Sequence, residues 1–398
     1  MRKDKKKSYC VLPFNHMNLH PNGNVGICCV SKMSGNNSGF YKDSKGNMLN
    51  LNKQSLNEMW GSHSVKVIRK QMLKGIKPSA CEGCYKIEDN GGVSRRLNEN
   101  SRWKKHWALQ PQIEFLDLRM SNLCNLKCMM CYPDSSSALC SDYKSWQDEL
   151  PFVVSNPHMK NEDFKWFTED MVEQLLEHKD TLKYLYINGG EPFIMPMQWK
   201  FLERLIEEGV SKNIEISYNT NATVFEDRFD EIWREFKSVT LGVSIDGVGE
   251  RNKFIRYPSK WEVLNENILK IMRCKSLSHV NITCTIQWLN APFLDEFYKW
   301  AIPITKRKPL STVNQNILVF PNYLSLNCAS KKFKQKLYDI YMESRYAPRI
   351  LTPTMISYLE SEEENETFWD QGLQYMDTVS KSRNMGNWKE IFDYVYEY

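Results

Sequence analysis

No stretch of 18 apolar residues exists in the 398-residue chain, so no segment reads as a membrane-spanning helix. The basic start, Met1-Arg-Lys-Asp-Lys-Lys-Lys7, has no apolar core behind it and reads as a solvated tail, not as a secretory signal. Charge of one sign is also scarce: a net +5 is too mild to argue for DNA or RNA as a partner. No internal repeat stands out. Nor is this the small, stapled format in which many cysteines form a disulfide framework. Of the 12 cysteines, seven cluster in two short pairs and one triplet within a long chain that is 41% hydrophobic and 25% charged. That combination implies a globular protein of about two or three domains in a reducing, cytoplasmic setting, its thiols given to metal ligation.

The densest cysteine group is Cys124-Asn-Leu-Lys-Cys128-Met-Met-Cys131. Three thiolates at this spacing can hold three irons of a cubane cluster and leave the fourth without a protein ligand. An open iron is a place for a small molecule to bind. A closed structural zinc site wants four ligands, usually as two short pairs, and the ferredoxin runs are spaced differently. The octapeptide resembles the cluster motif of radical S-adenosylmethionine (SAM) enzymes, in which SAM chelates the open iron through its amino and carboxylate groups. Met130 stands where that family usually has an aromatic residue, and its thioether chain still packs apolar surface against an adenine or a cluster.

From about residue 111, strand-like and helix-like segments alternate, the pattern of a parallel α/β fold. Strands are expected at 113–119, 182–187, 214–218, 239–245, 280–286 and 313–320, with a helix opening near Asp134 and another over 197–209. Six strand-plus-helix units make a partial (β/α)6 TIM-like barrel, open on one side. Its ligands would bind where the carboxyl ends of the strands converge. The cysteine loop, Asn188-Gly189-Gly190-Glu191-Pro192, Asn219-Thr-Asn221 and Asp246-Gly247 all fall at such ends.

Gly189 and Gly190 let the backbone approach a ligand without interference from Cβ, and Glu191 can pair with a ligand ammonium. This stretch resembles the glycine-glycine-glutamate-proline segment that binds the amino end of SAM in the radical SAM family. The same resemblance puts Asn219 and Ser244 where strand-end polar groups contact the ribose and carboxylate. It puts Arg256 where the family often has an arginine for the carboxylate, with Arg251 and Lys253 as competing cations.

The first 108 residues carry their own cysteine pattern. Pro21-Asn22-Gly23 is a hairpin signal, because Asn-Gly readily takes the positive φ angles of a tight turn. The hairpin would return Cys28 or Cys29 towards Cys10; neighbours on a strand point to opposite faces, so only one of the two should ligate a given metal. Ser55-Leu-Asn-Glu58 forms a capping box opening a helix with Leu56, Met59 and Trp60 on one face. A second helix is expected over 64–74, and Cys81-Glu-Gly-Cys84 follows it. His16 and His20, four residues apart in an extended segment, would lie over about ten ångströms apart, too far to share a metal. They read as structural or substrate-side residues.

Cys10, Gly23, Cys28, the Ser55-to-Trp60 helix, Arg69, Gly75, Cys81 and Cys84 together resemble the SPASM and twitch auxiliary-cluster domains of radical SAM enzymes. The resemblance implies one auxiliary [4Fe–4S] cluster held by Cys10, Cys28, Cys81 and Cys84. A four-cysteine zinc site is the alternative, since Cys-x-x-Cys is equally a zinc spacing. Two departures stand out: the domain usually follows the barrel, and the further cysteines of a full SPASM domain do not appear after Cys84. Cys140, Cys274, Cys284 and Cys328 lack partner spacing and read as packed thiols.

After residue 320 the pattern is helical, with Phe333, Leu337 and Ile340, then Trp369, Leu373 and Met376, at helical spacing. The expected organisation is an auxiliary cluster domain of α+β type over 1–108, a radical SAM partial barrel over 109–320 and a helical cap over 321–398. The insert 140–168 is a candidate loop near the active-site mouth. The resemblance implies an enzyme of oxidoreductase or transferase type that reductively cleaves SAM to a 5′-deoxyadenosyl radical for hydrogen abstraction. Auxiliary domains of this kind imply a peptide or protein substrate and an electron donor such as flavodoxin or ferredoxin, without a membrane. A small molecule or nucleotide is the second substrate class, and a non-catalytic scaffold with zinc in its cysteine sites is the rival from another class.

Overall fold

The computed structural model describes residues 7–32, 38–104, 110–153 and 164–393. The described residues form two compact units. One lies within Met1–Asn122, His158–Tyr218 and Arg234–Ser238; the other within Leu123–Pro157, Asn219–Trp233 and Val239–Tyr398.

The first unit is built on strands β1 (His16–Leu19), β2 (Val25–Gly26), β3 (Phe115–Arg119), β4 (Tyr184–Asn188) and β5 (Glu215–Thr220), in the order β2-β1-β3-β4-β5. Gly23, at φ 80°, supplies the left-handed residue of the expected hairpin, and β1 pairs with β2 antiparallel, Asn18 opposite Gly26. On its other side β1 lies parallel to β3, with His16 opposite Phe115 and Asn18 opposite Asp117. β3–β4 and β4–β5 are parallel as well. The capping box forms as its spacing requires: Glu58 N donates to Ser55 Oγ and Ser55 N to Glu58 Oε2, opening the helix Leu56–Trp60 with Leu56 and Met59 buried. The helix His63–Leu73 follows, burying Val65, Ile68, Arg69 and Met72.

The second unit holds β6 (Ser238–Ser244), β7 (Leu277–Ile286) and β8 (Val313–Ile317), paired in parallel in that order. Along β7, Val280, Ile282, Cys284 and Ile286 are buried at every second position, as a strand with one core face demands. Helices Trp261–Arg273 and Leu294–Thr305 alternate with the strands, and Lys331–Glu343, Pro353–Leu359, Glu366–Ser382 and Trp388–Ile391 follow. A strand followed by helix, six times from β3 to β8, makes the fold α/β of the partial (β/α)6 TIM-like barrel class.

Several local expectations shift. No helix opens at Asp134: a turn occupies 133–135, and the α-helix runs over Cys140–Trp146. The last strand stops at Ile317, leaving Val319 and Phe320 exposed beyond it. The expected tail (apart from Lys7), the boundary at 108/109 and residues 154–163 of the insert lie outside the described residues. Among the described residues no helix is long and apolar enough to cross a membrane.

Candidate metal centres

In the first unit, Cys10, Cys28, Cys81 and Cys84 line one pocket, flanked by Arg95 and Arg96. The hairpin returns Cys28 to Cys10. Cys81 stands at the N-cap of the helix Glu82–Asp89, which places Cys84 in its first turn. Burial, reinforced by the neighbouring thiols, pushes Cys10 well above the ordinary thiol range and Cys81 up to about 12. Cys28 is also raised to about 12, chiefly by burial. Thiols crowded this way ionise only against a cation, which is the role of a bound metal. Arg96 is fixed by Glu88 (Nε–Oε1 2.9 Å) and the Tyr9 carbonyl (2.7 Å). Cys29 is outside the pocket lining; the pair Cys28-Cys29 lies past the end of β2, in a loop and turn, so strand alternation is not what separates the two.

In the second unit, the loop carrying Cys124, Cys128 and Cys131 is held from several sides. Lys127 N and Met129 N donate to the carbonyls of Tyr257 (2.6 Å) and Ile255 (2.9 Å). Tyr143 Oη donates to the Cys131 carbonyl (3.0 Å), Tyr375 Oη to that of Met129 (3.0 Å) and Arg383 Nη1 to that of Lys127 (2.8 Å). The thiols of Cys128 and Cys131 share a hydrogen bond, which pushes Cys128 up and pulls Cys131 down. Leu126 N approaches Cys124 Sγ at 3.5 Å, and Arg256 Nη1 approaches Cys128 Sγ at 3.9 Å. N–H groups aimed at sulfur are what tune a cluster. Among the described residues no three His, Cys, Asp or Glu side chains close on a point as one bound ion would require. The fit to a cluster rests on the thiol sets and these N–H···S contacts.

Arg256 is buried, with Nε 2.7 Å from Asp246 Oδ2. Burial works against its charge, but Asp246 and then Cys128 outweigh it, so the guanidinium is held protonated more firmly than in water. The competing cations are occupied elsewhere: Arg251 pairs with Glu296 (2.5 Å) and Lys253 with Glu250 (2.7 Å). Asn219, exposed near the end of β5 just past Tyr218, where the first unit stops, and Ser244, the half-buried last residue of β6, belong to the same unit as the three cysteines. Asn125, inside the cysteine loop, was not singled out by sequence; it accepts from Asn221 Nδ2 (3.0 Å) and donates to Thr223 Oγ1 (2.8 Å).

Gly189, Gly190 and Glu191 belong to the first unit, just past β4. Gly189 has φ 81° and Gly190 φ 59°. Glu191 is buried, and its Oε1 accepts from Phe193 N (3.1 Å), capping the short helix Pro192–Ile194.

The same unit holds a polar cluster that sequence reading missed. Asp117, fully buried on β3, accepts from Asn188 Nδ2 (2.9 Å) and has Arg119 Nε at 3.8 Å. With the Asn18 amide nitrogen turned towards it, Asn18 donates to Asp117 Oδ2 (3.2 Å) and accepts from His20 Nε2 (3.1 Å) and Cys29 N (3.2 Å). The available signal was Asp117 and Arg119 at alternate positions of an otherwise apolar strand, Phe-Leu-Asp-Leu-Arg. Of the four unpaired cysteines, Cys274, Cys284 and Cys328 are buried as expected, but Cys140 is exposed at the start of its helix.

The three-cysteine loop of one unit and the four-cysteine pocket of the other belong to a protein of the α/β class. Residues 118–286 match the model of the radical SAM superfamily, and residues 10–85 that of the SPASM iron-sulfur cluster-binding domain. The chain thus carries both a radical SAM domain and an auxiliary SPASM-like domain, domains that imply iron–sulfur clusters and SAM binding. It is 24% identical over 245 residues to the uncharacterized protein MJ0907 of Methanocaldococcus jannaschii, covering 58% of this chain and 74% of that one. Among solved structures it is similar to anSMEcpe with bound AdoMet (23% identity, TM-score 0.37, 58% of this chain, 61% of that one). It is also similar to Streptococcus suis SuiB bound to S-adenosylmethionine (14%, TM-score 0.35, 72% and 60%). The matches span about three fifths of those solved chains.

Proposed function

We propose that this protein is a radical SAM enzyme that modifies a peptide or protein. In this reading Cys124, Cys128 and Cys131 hold a SAM-binding [4Fe–4S] cluster, and Cys10, Cys28, Cys81 and Cys84 hold an auxiliary one. The observation that carries it is the three-thiol loop, strapped on several sides, with the buried Arg256 guanidinium 3.9 Å from Cys128 Sγ. When bound, cluster and SAM supply one-electron cleavage of a carbon–sulfur bond, giving methionine and a 5′-deoxyadenosyl radical that abstracts hydrogen from an unactivated carbon.

The chain's own residues do the rest. Arg256 is a fixed positive charge beside the cysteine loop, suited to a carboxylate. Gly189 and Gly190 leave backbone open to a ligand, and Glu191 offers a carboxylate for an ammonium. Asn219 and Ser244 offer strand-end polar groups for a ribose. The peptide or protein substrate is supported by the SPASM-like domain, which by resemblance accompanies such chemistry. A reduced flavodoxin or ferredoxin would be the electron source.

The test is anaerobic reconstitution with iron and sulfide, then dithionite and SAM. The expected result is 5′-deoxyadenosine release that disappears in Cys128→Ala. Stoichiometric zinc without such release would favour a scaffold and overturn the reading.

A further inference from the structure

A cleft of about 650 Å³ opens on the first unit, away from the cysteine pocket's lining. Its walls carry Lys66, Arg69, Lys70 and Lys74 beside Phe14 and Leu73. The three lysines sit at i, i+4 and i+8 along and just past the helix His63–Leu73, all exposed. One helical turn separates each from the next, about 6 Å along the axis. No aspartate or glutamate lines the cleft, and among the described residues none of the four cations is ion-paired.

Arg69 makes this more than a solvated lysine face. It is only 8% exposed, donates to the carbonyls of Pro13 (2.6 Å) and Trp60 (3.1 Å), and stacks 4.0 Å from the Trp60 ring centre. Its Nη2 is buried without a hydrogen-bond partner among the described residues. A permanently charged group is thus built into the wall with no carboxylate to neutralise it. An uncompensated row of cations over an apolar floor is complementary to an anionic chain with some apolar character.

The geometry separates peptide from nucleic acid. Single-stranded nucleic acid is held largely by bases stacking on aromatic rings, but here the Trp60 face is taken by Arg69. In an extended peptide, alternate side chains recur about every 6.6 Å, close to the lysine spacing. We propose that this cleft docks an acidic peptide segment in extended form. Carboxylates at alternate positions meet Lys66, Lys70 and Lys74, and a flanking apolar side chain rests on Leu73 and Pro111. The site is independent of the catalytic reading: it binds whether or not SAM is cleaved.

Fluorescence anisotropy of the full-length protein with a labelled Leu-Glu-Val-Glu-Val-Glu-Leu peptide tests this without any turnover. Saturable binding is expected, weakened about tenfold when Lys66, Lys70 and Lys74 are all changed to glutamine. Lys45→Gln, Lys53→Gln and Lys165→Gln together remove the same charge from exposed positions outside the cleft and should leave binding unchanged. Three results would each overturn the proposal. These are absence of saturable binding, equal weakening in both triple variants, and tighter binding of a single-stranded oligonucleotide of matched charge.

Discussion

Gly189 meets two demands at once. Its φ of 81° is the left-handed region, and a Cβ there would lie 2.7 Å from Arg119 Cβ and 3.1 Å from its Cα. Gly189→Ala should therefore cost about 2–4 kcal/mol from backbone strain plus overpacking, read as a lower urea midpoint without added SAM. A loss below half a kcal/mol would show that the glycine serves only ligand approach. His16 gives a pH signature. Fully buried, it bonds the Ile27 carbonyl through Nδ1 (2.9 Å), while Nε2 has no partner among the described residues. Burial, with help from Arg95, lowers its pKa from 6.5 to about 3. Above pH 6.5 the imidazole is neutral in both states and costs nothing. Between 6.5 and about 3 the unfolded chain takes a proton that the fold refuses, so stability falls as pH falls, by about 1.4 kcal/mol per pH unit. His20, lowered to about 4, adds in the same direction. His16→Gln should flatten the stability profile between pH 6 and 4; an unchanged slope would mean the imidazole is not what titrates. At this scale the cysteine spacings were readable because ligand geometry constrains sequence directly. Asp117, Asn18 and Asn188 were not, because alternation shows that a strand has two faces without showing that the polar one is buried.

Elements were legible where a pattern repeats and less so at their ends. The six strand positions followed from the alternation of strand-like and helix-like segments, and the helix His63–Leu73 fell within a residue of the forecast. The helix expected at Asp134 failed because its capping-type side chain sits in a turn, and the true helix starts six residues later. The C-terminal helix Glu366–Ser382 was read as a cap, but its structural task is sharper. Tyr375 bonds the Met129 carbonyl from within it, and Arg383, at its C-cap, reaches both the Lys127 carbonyl and Asp142 Oδ2 (2.9 Å). Arg383 is 8% exposed, and Asp142 also pairs with Lys127 Nζ at 2.5 Å. Arg383→Ala leaves a buried carbonyl unpaired and a carboxylate half-compensated, a loss of about 2–4 kcal/mol. Tyr375→Phe removes one neutral hydrogen bond, about 1 kcal/mol. Iron retained after anaerobic gel filtration of reconstituted protein should fall in that order, wild type above Tyr375→Phe above Arg383→Ala. Equal retention in all three would show that the cysteine loop holds its shape without the helix.

At the scale of the molecule, what matters is how the N-terminal segment is joined to the strand that follows it. The cysteine spacings mark a segment ahead of the barrel, and spacing carries no information on whether that segment packs as a separate body. Within the first unit, β1 is hydrogen-bonded in parallel to β3 over four residue pairs. Gln112 N and Glu114 N donate to the carbonyls of Phe14 (3.0 Å) and Asn15 (2.9 Å), extending that seam. Met17 and Leu19 on β1 and Leu116 and Leu118 on β3 are all fully buried. Deleting residues 1–109 would strip β3 of its neighbour, leaving a row of unpaired backbone groups along an apolar strand, an edge prone to association. It would also expose side chains worth about 1.5–3 kcal/mol each in burial. The shortened chain should fail to unfold cooperatively in urea and should bind a hydrophobic dye, even with the three cysteines of the barrel loop intact. If it instead gave one sharp transition as a monomer, the N-terminal segment would be a detachable module, and the shared strand pairing would contribute little to the barrel's stability.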